Sequence, residues 1–273
     1  LNSLSQIMSL DDPALLLALF HTFFSLFGIM IFTPFIRQFT NMIAWMLPEK
    51  KSSITQYLDD SVIEIPSVAI ETATRALKEA TKLTLTTMAE KLNALTLRNS
   101  KNLSLQSIDE KLMYIQQETE EIRNFVEEIE ETSSKTKTQY ISILHALDHI
   151  DRMIRLTLSA KVDRPLINRD DEVYPVIIQL LENIDHCLLA LEEDQIETIL
   201  ENLSVFAEEL SVFRKQERAN IFHVTAKGEI TVSDAFHYVQ LILFVDDLAY
   251  HIWRTFHHLH ISSNEPIKEK DAQ

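Results

Sequence analysis

Two hydropathy patterns divide this chain. From Ala14 to Ile36 apolar residues run on without a formal charge, interrupted only by His21, Thr22, Ser25 and Thr33 among polar side chains. Beyond Ser52 the apolar residues instead return every three or four positions, with charged residues between them. The first pattern predicts a helix that is apolar all round; at ~1.5 Å per residue it is roughly 35 Å long, enough to cross a hydrocarbon core of ~30 Å. The second predicts a series of amphipathic helices with short connections.

The amphipathic part resolves into six helices. Pro66, preceded by Ile65, marks the start of the first, whose stripe is Leu77, Leu83 or Thr84, Met88, Leu92 and Leu95. Thr81, Thr84, Thr86 and Thr87 lower its intrinsic propensity, so packing must hold it. A second helix is expected over 105–131, with Leu112, Ile115, Thr119, Ile122, Val126 and Ile129 as its seam. The third, 139–161, carries Leu144, Leu147, Asp151, Ile154 and Leu158, which puts an acid in a core position. A loop with Pro165 and Pro175 follows. The fourth helix runs to about 193 with Val176, Leu180, Ile184, Cys187 and Leu191, and the fifth from 195 to at least 218 with Ile196, Ile199, Leu203, Phe206, Leu210 and Phe213. Gly228 and Ser233 mark a break and a cap before the last, 231–260, with Val232, Ala235, Val239, Ile242, Asp246, Ala249, Trp253 and Phe256 along one side. The expected fold is all-α. Its domains are a membrane helix with an interfacial segment, 1–48, and a helical domain, 49–273, in two halves of three helices (49–163 and 164–273). Leu147 to Asp151 and Leu243 to Asp247 overlay as a weak internal repeat.

Charge adds an orientation. Asp11 and Asp12 precede the apolar run, while Arg37, Lys50 and Lys51 follow it, which places the C-terminal side in the cytoplasm of a cell whose inner membrane holds the span. The segment Gln38 to Leu47, with Trp45, suits the membrane interface. The absence of a basic residue before Arg37 argues against a signal peptide. A chain that opens on Leu1 is expected to be preceded by further spans. A net charge of −16 leaves no basic stripe for nucleic acid. The lone Cys187, beside Leu188 and Leu189, reads as a buried thiol in a reducing compartment.

Candidate chemistry gathers on the third helix. His145, Asp148, His149, Asp151, Arg152 and Arg155 form the densest charged group, with Asp148–Arg152 and Asp151–Arg155 one turn apart. Asp246 and Asp247 occupy the matching place in the second half. An acid on an apolar seam must be paired, so the group reads as a structural or regulatory polar cluster. His145, His149, His237, His251, His257, His258 and His260 make a metal site the sharpest alternative, but His257 and His258 point in different directions and no metal is expected. No nucleophile elbow, H-E-x-x-H or phosphate-cradling glycine loop is present, so no enzyme activity is expected. Within the span, His21 and Ser25, beside Gly28, suit hydrogen bonding and close packing with neighbouring helices.

These residues also suggest a family. The run from His21-Thr22-Phe23-Phe24 to Phe32-Thr33-Pro34-Phe35 resembles the last transmembrane helix of bacterial sodium/phosphate cotransporters of the type II, NptA-like family. The remainder, most clearly Leu144 to Leu156, resembles the PhoU-like helical domain appended to many of them. The resemblance implies a PhoU-like pair of three-helix bundles and the C-terminal part of a sodium-dependent phosphate transporter. The lipid bilayer and the preceding helices of the same transporter would be its partners, with a second copy or a regulatory protein possible. The family's Gln-Ser-Ser repeats, which bind sodium and phosphate, do not occur here, so neither ion has a site in this chain. Where PhoU proteins carry E-x-x-x-D metal motifs, Leu147 and Leu243 replace the glutamates. The alternative is a membrane-tethered PhoU-like adaptor of phosphate signalling without transport of its own.

Overall fold

A computed structural model describes residues 13–33, 54–96, 105–129, 134–160 and 173–263. Every regular element among them is helical. The chain divides into two compact units, residues 1–50 and 51–273.

The first unit contributes α1 (Pro13–Phe32). Pro13 opens it, where the missing N–H costs nothing. Phe20, Phe23, Phe24, Leu26, Phe27, Ile29 and Met30 are all exposed. At about 100° per residue they cover more than half of the helix circumference, and His21, Ser25 and Gly28 share the remaining arc. Thr33 closes its hydroxyl on the Ile29 carbonyl at 2.6 Å, so it adds no polar face. Among the described residues no helix is long and apolar enough to cross a membrane. The uncharged run continues past Thr33 into residues outside those described, as do the interfacial segment 38–47 and Trp45.

The second unit holds α2 (Pro66–Thr96), α3 (Leu105–Glu127), α4 (Ser134–Ser159), α5 (Val173–Glu192), α6 (Glu197–Ala226) and α7 (Val232–Ser263), after two short 3-10 turns at Thr55–Tyr57 and Asp60–Val62. α2 is the central post, touching α3, α4, α5 and α7. It is lined by Ala69, Ala73, Ala76 and Ala80 as well as Leu77, Leu85, Met88 and Leu92, all buried. Small side chains let neighbours approach on several sides, which is why its buried set is wider than one stripe. Four of the α2 threonine hydroxyls are satisfied one turn back. Thr81, Thr84 and Thr87 donate to the carbonyls of Leu77, Ala80 and Leu83 at 2.8 Å, and Thr86 to Lys82 at 2.9 Å. Ion pairs tie α2 sideways, Lys91 to Asp109 of α3 and Lys82 to Glu192 of α5, each at 2.8 Å.

The α3 seam is buried as the periodicity predicts, from Leu112 to Ile129. Three other expectations change. On α4 the buried line is Ile143, Ala146, Leu147, Ile150, Met153 and Ile154, with Leu144 and Leu158 only half-buried, because α4 packs against α2, α3 and α7 together. On α5 the line is Val173, Ile177, Leu180, Ile184, Cys187 and Ala190, so Val176 and Leu191 fall to its side, and Pro175 belongs to the first turn rather than to the loop. On α7, Val232 is exposed at the helix start. The cap there is Thr231, not Ser233: the Thr231 hydroxyl accepts from the Asp234 N–H at 3.1 Å and donates to the Asp234 carboxylate at 2.7 Å. Gly228 ends α6 at φ 79°, with its N–H on the Thr225 carbonyl and that of Glu229 on Val224.

The most extensive helix pairing is α4 with α7. It is antiparallel. Gln139 reaches Ser262, His145 meets His258 and His149 meets His251, so positions on α7 fall as those on α4 rise.

Candidate functional site

The α4–α7 pairing brings four histidine rings together. His145 and His149 are one turn apart on α4, and His251 and His258 two turns apart on α7, so each pair shares a helix face. Across the seam the Nδ1 atoms of His149 and His251 lie 2.9 Å apart. His258 stacks on His145 with ring centroids 4.8 Å apart and on His149 at 5.7 Å. Tyr250 closes one side, its ring edge-on to His149 at 6.1 Å. His257 adjoins His258 at 5.3 Å.

Arg254 fixes one tautomer. Its Nη2 lies 3.1 Å from His258 Nε2, and a guanidinium only donates, so that nitrogen accepts and Nδ1 carries the hydrogen. This Nδ1 is buried without a hydrogen-bond partner. The cluster favours neutral rings. Burial first, then the neighbouring His251 and Arg254, lower the His149 pKa to about 4, and the negative charge of Asp148 offsets this only in part. Burial, then Arg254 and the surrounding histidines, lower His258 to about 3. His251 is lowered by burial and Arg152, and His257 by burial and Arg254.

The polar residues singled out from the sequence do not form one site. His145 and His149 join the ring cluster. Asp148 pairs with Arg152 at 2.9 Å, both half exposed. Asp151 turns to the other edge of α4, where Arg155 pairs with it and Gln116 of α3 donates to its Oδ1 at 2.9 Å. Asp151 thus borders the apolar seam instead of sitting in it. Asp246 is buried on α7 with Arg214 Nε of α6 2.8 Å from its Oδ2, an ion pair without an aligned hydrogen bond. Burial raises its pKa more than Arg214 lowers it. Asp247 is exposed. On α1, His21 and Ser25 are exposed.

Sequence reasoning passed over the union of His149 with His251, and over Arg214, Gln116 and Arg254 as partners. The His145–His149 spacing and the His251–His258 spacing were the available signal, since both put rings on single helix faces. Among the described residues no group of three or more His, Cys, Asp or Glu side chains is arranged to hold a metal ion. Cys187 is fully buried, and burial drives its thiol pKa far upward, which makes it unreactive. No family model, curated protein or solved structure matches the chain.

Proposed function

We propose that this chain is the C-terminal part of a sodium-dependent inorganic phosphate transporter, held in the inner membrane by the run 14–36, with its helical unit regulating or stabilising transport from the cytoplasm. The observation that carries this reading is the broad exposed surface of phenylalanine, leucine, isoleucine and methionine on α1. So wide an exposed apolar surface needs apolar surroundings, and a bilayer with neighbouring spans provides them. α1 alone spans about 30 Å, no more than the hydrocarbon core, so the reading requires the helix to continue through Ile36. Basic residues only on the C-terminal flank give the orientation. His21, Ser25 and Gly28 then face the preceding helices of the same transporter.

The resemblance supports a PhoU-like pair of three-helix bundles for the second unit, and two observations accord with it. α2, α3 and α4 each touch the other two, as do α5, α6 and α7. The third helices of the two sets meet along the α4–α7 seam. In this reading the unit is a regulatory body without catalysis or a bound metal. The second reading is a membrane-tethered adaptor of phosphate signalling without transport of its own.

Alkaline carbonate extraction of membranes, with protease digestion of inverted vesicles, tests the anchor. Retention in the pellet with digestion of residues 52–273 is expected; release into the supernatant, or protection inside the vesicles, overturns it. Sodium-driven uptake of labelled phosphate by the gene product that contains this chain, with and without residues 52–273, separates transporter from adaptor. Sodium-dependent uptake altered by the deletion supports the first reading; absence of uptake by the intact product supports the second.

A further inference from the structure

Two imidazoles that meet through the same nitrogen cannot both hold a proton there. With 2.9 Å between the Nδ1 atoms of His149 and His251, one must donate and the other accept. A singly protonated pair keeps this hydrogen bond and strengthens it. A doubly protonated pair places two N–H groups and two positive charges face to face. We propose that the His149–His251 contact is a proton-sensitive latch between α4 and α7, closed while at least one ring is neutral and opened when both are protonated.

The surrounding charges set where the latch trips. From α4, Asp148 favours protonation and Arg152 opposes it, and the two are engaged with each other at 2.9 Å. From α7, Asp247 favours protonation of His251, and Arg254 opposes that of His149. His145 and His258, stacked in the same cluster, add positive charge of their own when protonated. Several charges on the other packed helices have partners away from the pair. α2 directs Lys82 to Glu192, Lys91 to Asp109 and Glu90 to Lys111. α3 directs Gln116 to Asp151, α6 directs Arg214 to Asp246, and Asp185 and His186 of α5 are exposed. The cations nearest the pair therefore stand against a second proton, with carboxylates that are partly committed.

The sign follows from the direction of these shifts. Ordinary histidine takes its proton near ~6.5. The folded rings resist protonation to about 4 at His149 and about 3 at His258. The contribution to stability is fully present above ~6.5 and declines below it, while the latch itself opens only as pH falls through about 4, where His149 takes its proton. At the far end of the seam Gln139 donates to the Ser262 carbonyl at 3.1 Å, a tie that does not titrate in this range. Acid thus opens the seam on the histidine side while this end stays fastened.

A spin-label pair reads the opening directly. Ser159 on α4 and Gln240 on α7 are exposed and lie on the histidine side of the antiparallel seam, away from Gln139 and Ser262; Cys187, being buried, stays unlabelled. In the full chain bearing Ser159→Cys and Gln240→Cys, the inter-label distance at pH 7.5 and at pH 3.5 is compared, with circular dichroism at both. A longer component at pH 3.5 that reverses on neutralisation, at unchanged helix content, is expected. His149→Gln and His251→Gln, tested separately, keep a side chain that donates and accepts without titrating, and should abolish the longer component. An unchanged wild-type distance, the same acid response in both variants, or helix loss parallel to the distance change overturns the latch. Should the variants not fold, the imidazole nitrogen-15 spectra of the wild type decide. Two rings with hydrogen-bonded Nδ1 atoms that protonate in separate steps below pH 6 support it, and ten rings titrating together near 6.5 overturn it.

Discussion

Gln116 on α3 donates to Oδ1 of Asp151 on α4 at 2.9 Å, while Arg155, one turn along α4, pairs with the other oxygen. The acid therefore joins two helices as well as two turns of its own. Because the Arg155 side chain is 56% exposed, it can turn to water when the acid is removed. Asp151→Ala should cost ~2 kcal/mol, the worth of a hydrogen bond to a charged group, and not the larger loss of a fully buried pair. Asp151→Asn should cost less than Ala, and Asp148→Ala at most ~1 kcal/mol. Urea unfolding of the three variants checks the order; an unchanged midpoint in Asp151→Ala contradicts it.

Asp246 behaves in the opposite sense. Burial holds its folded pKa above the ordinary 3.8 despite Arg214, so its ionised form is disfavoured by folding. Its contribution is fully present below 3.8 and is lost as pH rises through the raised value. Asp246→Asn should therefore leave stability at neutral pH little changed and flatten the stability profile above pH 3.8. Thermal unfolding across that range measures both; a large loss at pH 7 would show that the Arg214 charge needs its partner.

Lys91 presents an asymmetric pair. Its side chain is 2% exposed while that of Asp109 is 37%. Asp109→Ala leaves a buried ammonium alone and should cost ~3–5 kcal/mol, whereas Lys91→Met removes the charge at similar volume and should be neutral or stabilising. Denaturation midpoints of the two variants, compared with the double variant, decide the matter.

At the α6–α7 turn, Gly228 is held by its conformation and not by crowding, since nothing lies within 4 Å of where a Cβ would stand. Gly228→Ala should cost ~1–2 kcal/mol through the left-handed backbone alone. Thr231→Ala should cost ~1 kcal/mol by loss of the cap, with Ser restoring most of it. Melting temperatures of the three proteins give the comparison.

Helix positions were legible because burial repeats at helical spacing: Leu112 to Ile129 declared a face without knowledge of what covers it. Register across helices was not. Leu144 and Ile143 are equally apolar neighbours, and only the joint packing of α2, α3 and α7 on α4 buries the second. The acids were visible as anomalies, but their partners Gln116 and Arg214 come from other helices, which local spacing cannot reveal. The histidine contact was hidden for the same reason, its members standing 102 positions apart. The cap at Thr231 was misplaced by two residues because Ser233 is an equally good capping side chain, and only the reciprocal bond with Asp234 selects between them.

The antiparallel seam also dictates an order of assembly at the ribosome. α2, α3 and α4 leave the exit tunnel early and can close on one another. The face of α4 that carries His145 and His149 pairs with α7, which is made long after it. Until that helix emerges, part of the nascent bundle has no cover and is open to chaperones. A translation product that stops short of His251 would keep most of its helices and still lack the closing one, and protein quality control would meet it as an incomplete fold.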